Sequence, residues 1–194
     1  RSHRWLVCSG WQYAAWPLLE KHQVHLRKLF EPAPGPDQVA RRFLKGVRRR
    51  HDLLAGLFVR RGDYQVWTGG RFYFPFESYV RWVRELIDLH PGRRVGVVLA
   101  GDETIPCDLF GNLPVFLATG SAGSDGHWFE SFLELAGCDF IAAAPSTFAA
   151  GAAFLGNRPW WPLRFSDQTL SHDQVFARHL FDAACDPDFA LAIK

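Results

Sequence analysis

Apolar residues recur along this chain in two alternating rhythms. After the breaker-rich Pro32-Ala33-Pro34-Gly35, Val39, Phe43 and Val47 fall at i, i+4 and i+8 among basic positions, which predicts an amphipathic helix over residues 36–50. Residues 53–59 are apolar throughout, the pattern of a strand buried on both faces. Helical spacing returns over 76–89 with Phe76, Tyr79, Val80, Val83, Leu86 and Ile87, and His90-Pro91-Gly92 stops it. A second buried strand over 95–100 is closed by Gly101-Asp102-Glu103. Strand, helix, strand is the βαβ unit of a parallel sheet. The alternation continues with a short apolar run at 115–118, a Gly/Ser-rich loop at 120–126 and a helix over 128–135. A strand over 139–144 follows, and Pro145-Ser146-Thr147 leads into an Ala-rich helix over 148–155. The expected fold is α/β: a Rossmann-like open parallel sheet with helices on both faces. No internal repeat or low-complexity segment interrupts it.

Composition fits that picture. The chain has 194 residues, 48% of them apolar and 22% charged, enough for one sizeable core. These proportions exclude a disordered, collagen-like or polytopic membrane protein. No run approaches the roughly 20 apolar residues of a membrane span, and no secretory signal pattern opens the chain. Cys8, Cys107, Cys138 and Cys185 are scattered, without zinc-type spacing, and read as reduced and mostly buried. Together these features suggest a cytoplasmic location. The chain contains no Met, so it is expected to be part of a longer protein or to have lost a leader.

Charge divides the chain unevenly. Residues 1–61 carry 13 Lys and Arg against four Asp and Glu, and residues 62–194 carry nine against 16. Much of the basic excess lies in Arg41, Arg42, Lys45, Arg48, Arg49 and Arg50. Such a helix is either a solvated face or an anion-binding surface for nucleic acid, membrane or phosphate. The expectation is a segment 1–50 packed on, or lying between domains beside, a main domain 51–194, with no nucleic-acid partner and no integral membrane segment.

Candidate chemistry clusters at strand ends, where open α/β sheets bind ligands. Arg60-Arg61-Gly62-Asp63, Gly101-Asp102-Glu103 and Pro145-Ser146-Thr147 all fall there. The first can grip phosphate oxygens through a guanidinium fork, or be a surface Arg–Asp pair of small consequence. The third can bind an anion at a helix N-terminus, or be an ordinary cap. Two anion-binding features on one rim favour a phosphorylated ligand. The spaced glycines Gly120, Gly123 and Gly126 lack a dinucleotide fingerprint's context and read as a flexible loop. Asp186-Pro187-Asp188 reads as a chance match to a metal motif, and adjacent Ser171-His172-Asp173 cannot form a triad.

At these clusters the sequence resembles a known family. Leu57-Phe58-Val59-Arg60-Arg61-Gly62-Asp63-Tyr64 is similar to the H-x-R-R-G-D-Y motif of the fucosyltransferase superfamily, which includes bacterial α-1,2-fucosyltransferases, α-1,6-fucosyltransferases and protein O-fucosyltransferases. Cys138-Asp139-Phe140-Ile141, then Pro145-Ser146-Thr147-Phe148 and Phe154-Leu155-Gly156, resembles the later motif in which a strand leads to S-T-F before a helix. The likeness covers about residues 50–162.

The resemblance implies the second, donor-binding Rossmann-like domain of a B-type glycosyltransferase that uses GDP-fucose, transferring the sugar with inversion and without a metal or other cofactor. It implies that Arg60 neutralises charge on the departing diphosphate and that Ser146, Thr147 and Phe148 hold the nucleotide. Arg61 joins these as a nucleotide contact, and Asp63 and Asp139 contact ribose, base or the Arg side chains. Asp63, Asp102 and Glu103 are candidate bases by position. The implied partners are a nucleotide sugar, a glycan acceptor and a preceding acceptor-binding domain of the same protein. One departure stands out: Phe58 occupies the position of the motif's leading His. That leaves open a module that binds a nucleotide sugar without transferring it.

Overall fold

A strand with no polar face is stable only when both of its faces are covered. The computed structural model, which describes residues 16–171, meets that condition at the first apolar run. Its order is α1 (Trp16–Leu29), α2 (Pro34–Arg48), β1 (Leu53–Val59), α3 (Phe76–Asp88), β2 (Val95–Gly101), β3 (Val115–Leu117), α4 (Trp128–Ala136), β4 (Phe140–Ala143), α5 (Thr147–Gly156) and β5 (Trp160–Pro162). The five strands form one sheet in the order β3-β2-β1-β4-β5, with every pairing parallel. All seven residues of β1 are buried at the centre.

The faces of β1 alternate as its period of two requires. Leu53, Ala55, Leu57 and Val59 pack with Tyr79, Trp82, Val83 and Leu86 of α3. Leu54 and Phe58 face the other way, in a core with Val47 of α2, Leu135 of α4 and the alanines of α5. α2 therefore belongs to the main core. Arg48 of α2 reinforces this by donating to both oxygens of Asp139 and to the Gly137 carbonyl.

α1 and β5 have no counterpart among the elements expected from sequence. Three residues of β5 are too few for a periodic signal, and Trp-Trp-Pro forms a strand because Ile141, Ala142 and Ala143 template it. α1 touches the body through Arg27, which donates to the Phe154 carbonyl and to Asn157 Oδ1.

Other details depart from the sequence reading. The 120–126 loop is not free: Ala122 N–H donates to the Gly101 carbonyl, Gly126 N–H to the Thr119 carbonyl, and Ser121 is buried. Of the cysteines, Cys138 is buried and Cys107 is exposed; both are free. Cys8, Cys185, His172, Asp173, Asp186 and Asp188 lie outside the described residues. No helix among the described residues is long and apolar enough to cross a membrane.

Candidate functional site

The strand order fixes where a ligand crevice can open. The chain moves from β1 through β2 to β3, then crosses back to place β4 on the other flank of β1. The carboxyl ends of β1 and β4 therefore diverge into connections running opposite ways, the place where open α/β sheets hold their ligands. Arg60-Arg61-Gly62-Asp63 follows β1, Pro145-Ser146-Thr147 follows β4, and Asp102-Glu103 follows the neighbouring β2. The three clusters thus share one rim.

Tyr64 ties two of them together. Its ring is buried, stacked on Trp67 at 4.7 Å, and its hydroxyl donates to the Pro145 carbonyl. Burial pushes its pKa up to about 12, so the hydroxyl stays a proton donor at neutral pH. The Arg60 guanidinium lies 5.2 Å from the centre of the same ring.

Asp102 organises the β1 loop. Its Oδ1 accepts from the Arg61 backbone N–H at 2.8 Å, and its Oδ2 lies 2.9 Å from Arg60 Nη1. Gly62 leaves room for this carboxylate, since a Cβ there would stand 2.9 Å from the same Oδ2 and push it aside. Arg60 also pairs with Asp63 at 2.7 Å, while its Nε is buried without a hydrogen-bond partner. Asp63 is 60% exposed and sits on solvent. An entering anion would displace Asp63 at little cost, because exposed ion pairs contribute only about 0–1 kcal/mol.

Arg61 does not share this position. It is buried, its Nε pairs with Glu103 at 3.0 Å, and its remaining nitrogens donate to the Phe74 carbonyl and the Tyr73 hydroxyl. Its guanidinium lies 4.0 Å from the Tyr73 ring centre and 4.2 Å from that of Phe76. Through these contacts Arg61, expected to touch the nucleotide, fastens the β1 loop to the segment leading into α3. Glu103 and Asp102 are occupied by the same two arginines, which weighs against either as a free base. The five charged side chains of the two loops sum to −1.

Asp139, too, departs from its expected place. It precedes β4 and so lies at the amino end of the sheet, opposite the crevice. There Oδ2 accepts from the Leu54 N–H at 2.8 Å while Arg48 holds both oxygens. The carboxylate fastens α2 to the strands and is remote from any ligand at the rim.

On the β4 side, Ser146 Oγ accepts from the Ala149 N–H at 3.1 Å and caps α5. The cap uses the Ser146 hydroxyl, whereas the Thr147 and Phe148 N–H groups precede the first intrahelical bond and Thr147 is exposed. Phe148 stacks on Phe58 at 4.5 Å with an interplanar angle of 22°. Phe58 is 4% exposed, so the residue in the motif's His position fills core and supports the start of α5. Sequence reasoning missed this stack and the Tyr64–Pro145 hydrogen bond, because each joins residues about 80–90 positions apart.

A further acidic pair borders the rim. Glu134 is fully buried on α4 and accepts from the Thr119 N–H at 2.9 Å and the Thr119 hydroxyl at 2.6 Å. Glu130 Oε2 lies 3.1 Å from that hydroxyl. One hydroxyl hydrogen cannot serve two carboxylates, so a protonated Glu134 satisfies the cluster better than an ionised one. Burial, partly opposed by the Thr119 hydrogen bonds, raises the Glu134 carboxyl from 4.5 to about 7. A carboxyl with a raised folded-state pKa binds more protons when folded, so stability falls as pH climbs from 4.5 to about 7 and is level above. The contribution is on the order of 3 kcal/mol. Glu134→Gln mimics the protonated form and is expected to lose this slope. Urea midpoints at pH 5 and pH 8 check it, and an unchanged slope in the variant would place the titration elsewhere.

No group of three or more His, Cys, Asp or Glu positioned to hold a metal ion occurs among the described residues. No family model matches the chain, and no curated protein matches it.

Proposed function

We propose that this chain is a nucleotide-sugar-binding domain of a fucosyltransferase-like glycosyltransferase, with Arg60 and the N-terminus of α5 receiving the diphosphate. The observation that carries the reading is the meeting of these two anion-binding features at the β1/β4 crevice, joined through Tyr64 and Pro145. A helix N-terminus supplies oriented N–H groups and partial positive charge, and a guanidinium supplies paired donors. Neither needs to reorganise when negative charge develops on a departing diphosphate.

In the transfer step, an acceptor hydroxyl oxygen attacks the anomeric carbon of the sugar while the bond from that carbon to the diphosphate oxygen breaks. The electron pair leaves on the diphosphate, and the hydroxyl proton passes to a base or to water. Asp63 is the carboxylate on the rim with the most exposed side chain, and a ligand that takes Arg60 frees it. GDP-fucose is the donor that the motif resemblance favours.

The test is binding of GDP, read as thermal stabilisation that grows with ligand concentration. Arg60→Ala is expected to weaken GDP binding about 10- to 100-fold, the worth of a hydrogen bond to a charged group. Equal affinity in wild type and variant would remove Arg60 from the site.

A second reading has its own support. Phe58 replaces the motif's imidazole with a buried apolar ring that can neither donate to a nucleotide nor carry a proton. GDP binding without turnover of GDP-fucose by the full-length protein would favour that binding module over the enzyme.

A further inference from the structure

Large aromatic side chains normally hide their faces, and Trp82, Trp160 and Trp161 do so here. Trp128 does not: it is 58% exposed. It opens α4 directly after His127, whose Nδ1 accepts from the Phe129 N–H and caps the helix. Three aromatic rings nevertheless flank the indole. His127 lies at 5.1 Å, Phe129 at 5.5 Å with an interplanar angle of 72°, and Phe148 at 6.3 Å with one of 59°. An exposed π-face therefore stands one ring away from the first turn of α5.

A continuous path of contacts runs along the rim from that face. Phe148 follows Ser146 and Thr147, the Pro145 carbonyl accepts from Tyr64, and Arg60 lies over the Tyr64 ring. The path offers a planar apolar surface at one end and cationic or N–H groups at the other. A nucleoside diphosphate has the matching order of parts: a flat base, then a sugar, then phosphate.

We infer that Trp128 is the stacking platform for the nucleobase of the ligand whose phosphates lie at α5 and Arg60. The inference rests on the proposed nucleotide-sugar reading and adds a residue that lies outside both sequence motifs. Trp128 acts through its ring face, and its exposure makes substitution compatible with the fold.

Calorimetric titration with GDP and with inorganic pyrophosphate tests this, because only GDP has a base. Trp128→Ala is expected to weaken GDP about five- to 150-fold, the range of base–aromatic stacking, and to leave pyrophosphate affinity unchanged. Trp128→Phe is expected to restore most of the GDP affinity while losing the fluorescence quenching that a stacked guanine imposes on an indole. Arg60→Ala is expected to weaken both ligands. If Trp128→Ala binds GDP as wild type does while Arg60→Ala does not, the stacking role is overturned and the nucleotide site stands. Equal loss of GDP and pyrophosphate in Trp128→Ala also overturns it, since Trp128 would then be shaping the helix end. Failure of wild type to bind either ligand overturns both readings together.

Discussion

Replacing Trp82 by alanine is expected to lower the unfolding free energy by about 3–5 kcal/mol, as for large aromatic truncations in a close-packed core. Trp82 is fully buried on α3, at the centre of an edge-to-face cluster with Phe74 at 5.3 Å and Tyr79 at 5.2 Å. Its Nε1 also donates to the Gln168 carbonyl at 2.7 Å. Arg81 and Ser78 both donate to the Ser166 carbonyl, and the Leu170 N–H donates to Glu85, so α3 holds the segment after β5 at several points. Trp82→Phe separates the two contributions, since it keeps most of the ring volume and removes the indole N–H, leaving Arg81 as a donor to the Gln168 carbonyl. The phenylalanine variant should lose about 1–2 kcal/mol. Urea denaturation of both variants measures the difference. An alanine variant within 1 kcal/mol of wild type would mean that the α3 layer relaxes freely, contrary to a packed core.

Gly156→Ala is expected to destabilise by about 3 kcal/mol, with a sign opposite to helix propensity. A Cβ at this position would stand 2.0 Å from the Ala136 carbonyl oxygen and 2.8 Å from its carbon. Both atoms are backbone, so no side-chain rotation relieves the overlap, and α5 must move away from α4. Gly46 in α2 is the control, because a Cβ there meets nothing within 4 Å. Gly46→Ala should therefore stabilise by up to about 1 kcal/mol. Since α5 presents its N-terminus at the rim, Gly156→Ala should also weaken GDP binding, whereas Gly46→Ala should not. Thermal melts with and without GDP check both effects, and stabilisation by Gly156→Ala would disprove the close helix contact.

These substitutions bear on what could be read from the chain. The strand at 53–59 and the helix beginning at Phe76 were legible with little error, because each carries an unbroken periodic signal and a nearby stop. The parallel sheet followed from the alternation of such segments. The rim clusters were legible for a related reason: polar residues directly after buried strands lie at carboxyl ends wherever the sheet is parallel. Arg60, Asp63, Asp102, Ser146 and Thr147 gather there without knowledge of strand order.

Roles within the clusters were less legible. Arg60 and Arg61 are adjacent and chemically identical, yet one is part-exposed at the rim and the other is buried against Tyr73 and Phe76. Consecutive side chains leave the backbone in different directions, and the neighbours that capture each come from distant segments. Asp139 sits in the resembling motif but at the amino end of its strand, a difference of only a few residues that spans the thickness of the sheet. β5 exists because β4 offers it hydrogen bonds, and Phe58 meets Phe148 because β1 and β4 are neighbours.

The sequence by itself determined the elements from α2 to α5, the parallel sheet and the rim on which polar residues collect, since hydrophobic periodicity and strand-end placement are local properties of the chain. Only the tertiary structure decided that β4 flanks β1, that Tyr64 joins their loops and that Trp128 stands exposed beside α5. Those outcomes depend on which distant segments pack together, a choice made by core complementarity and hydrogen-bond satisfaction across the whole domain.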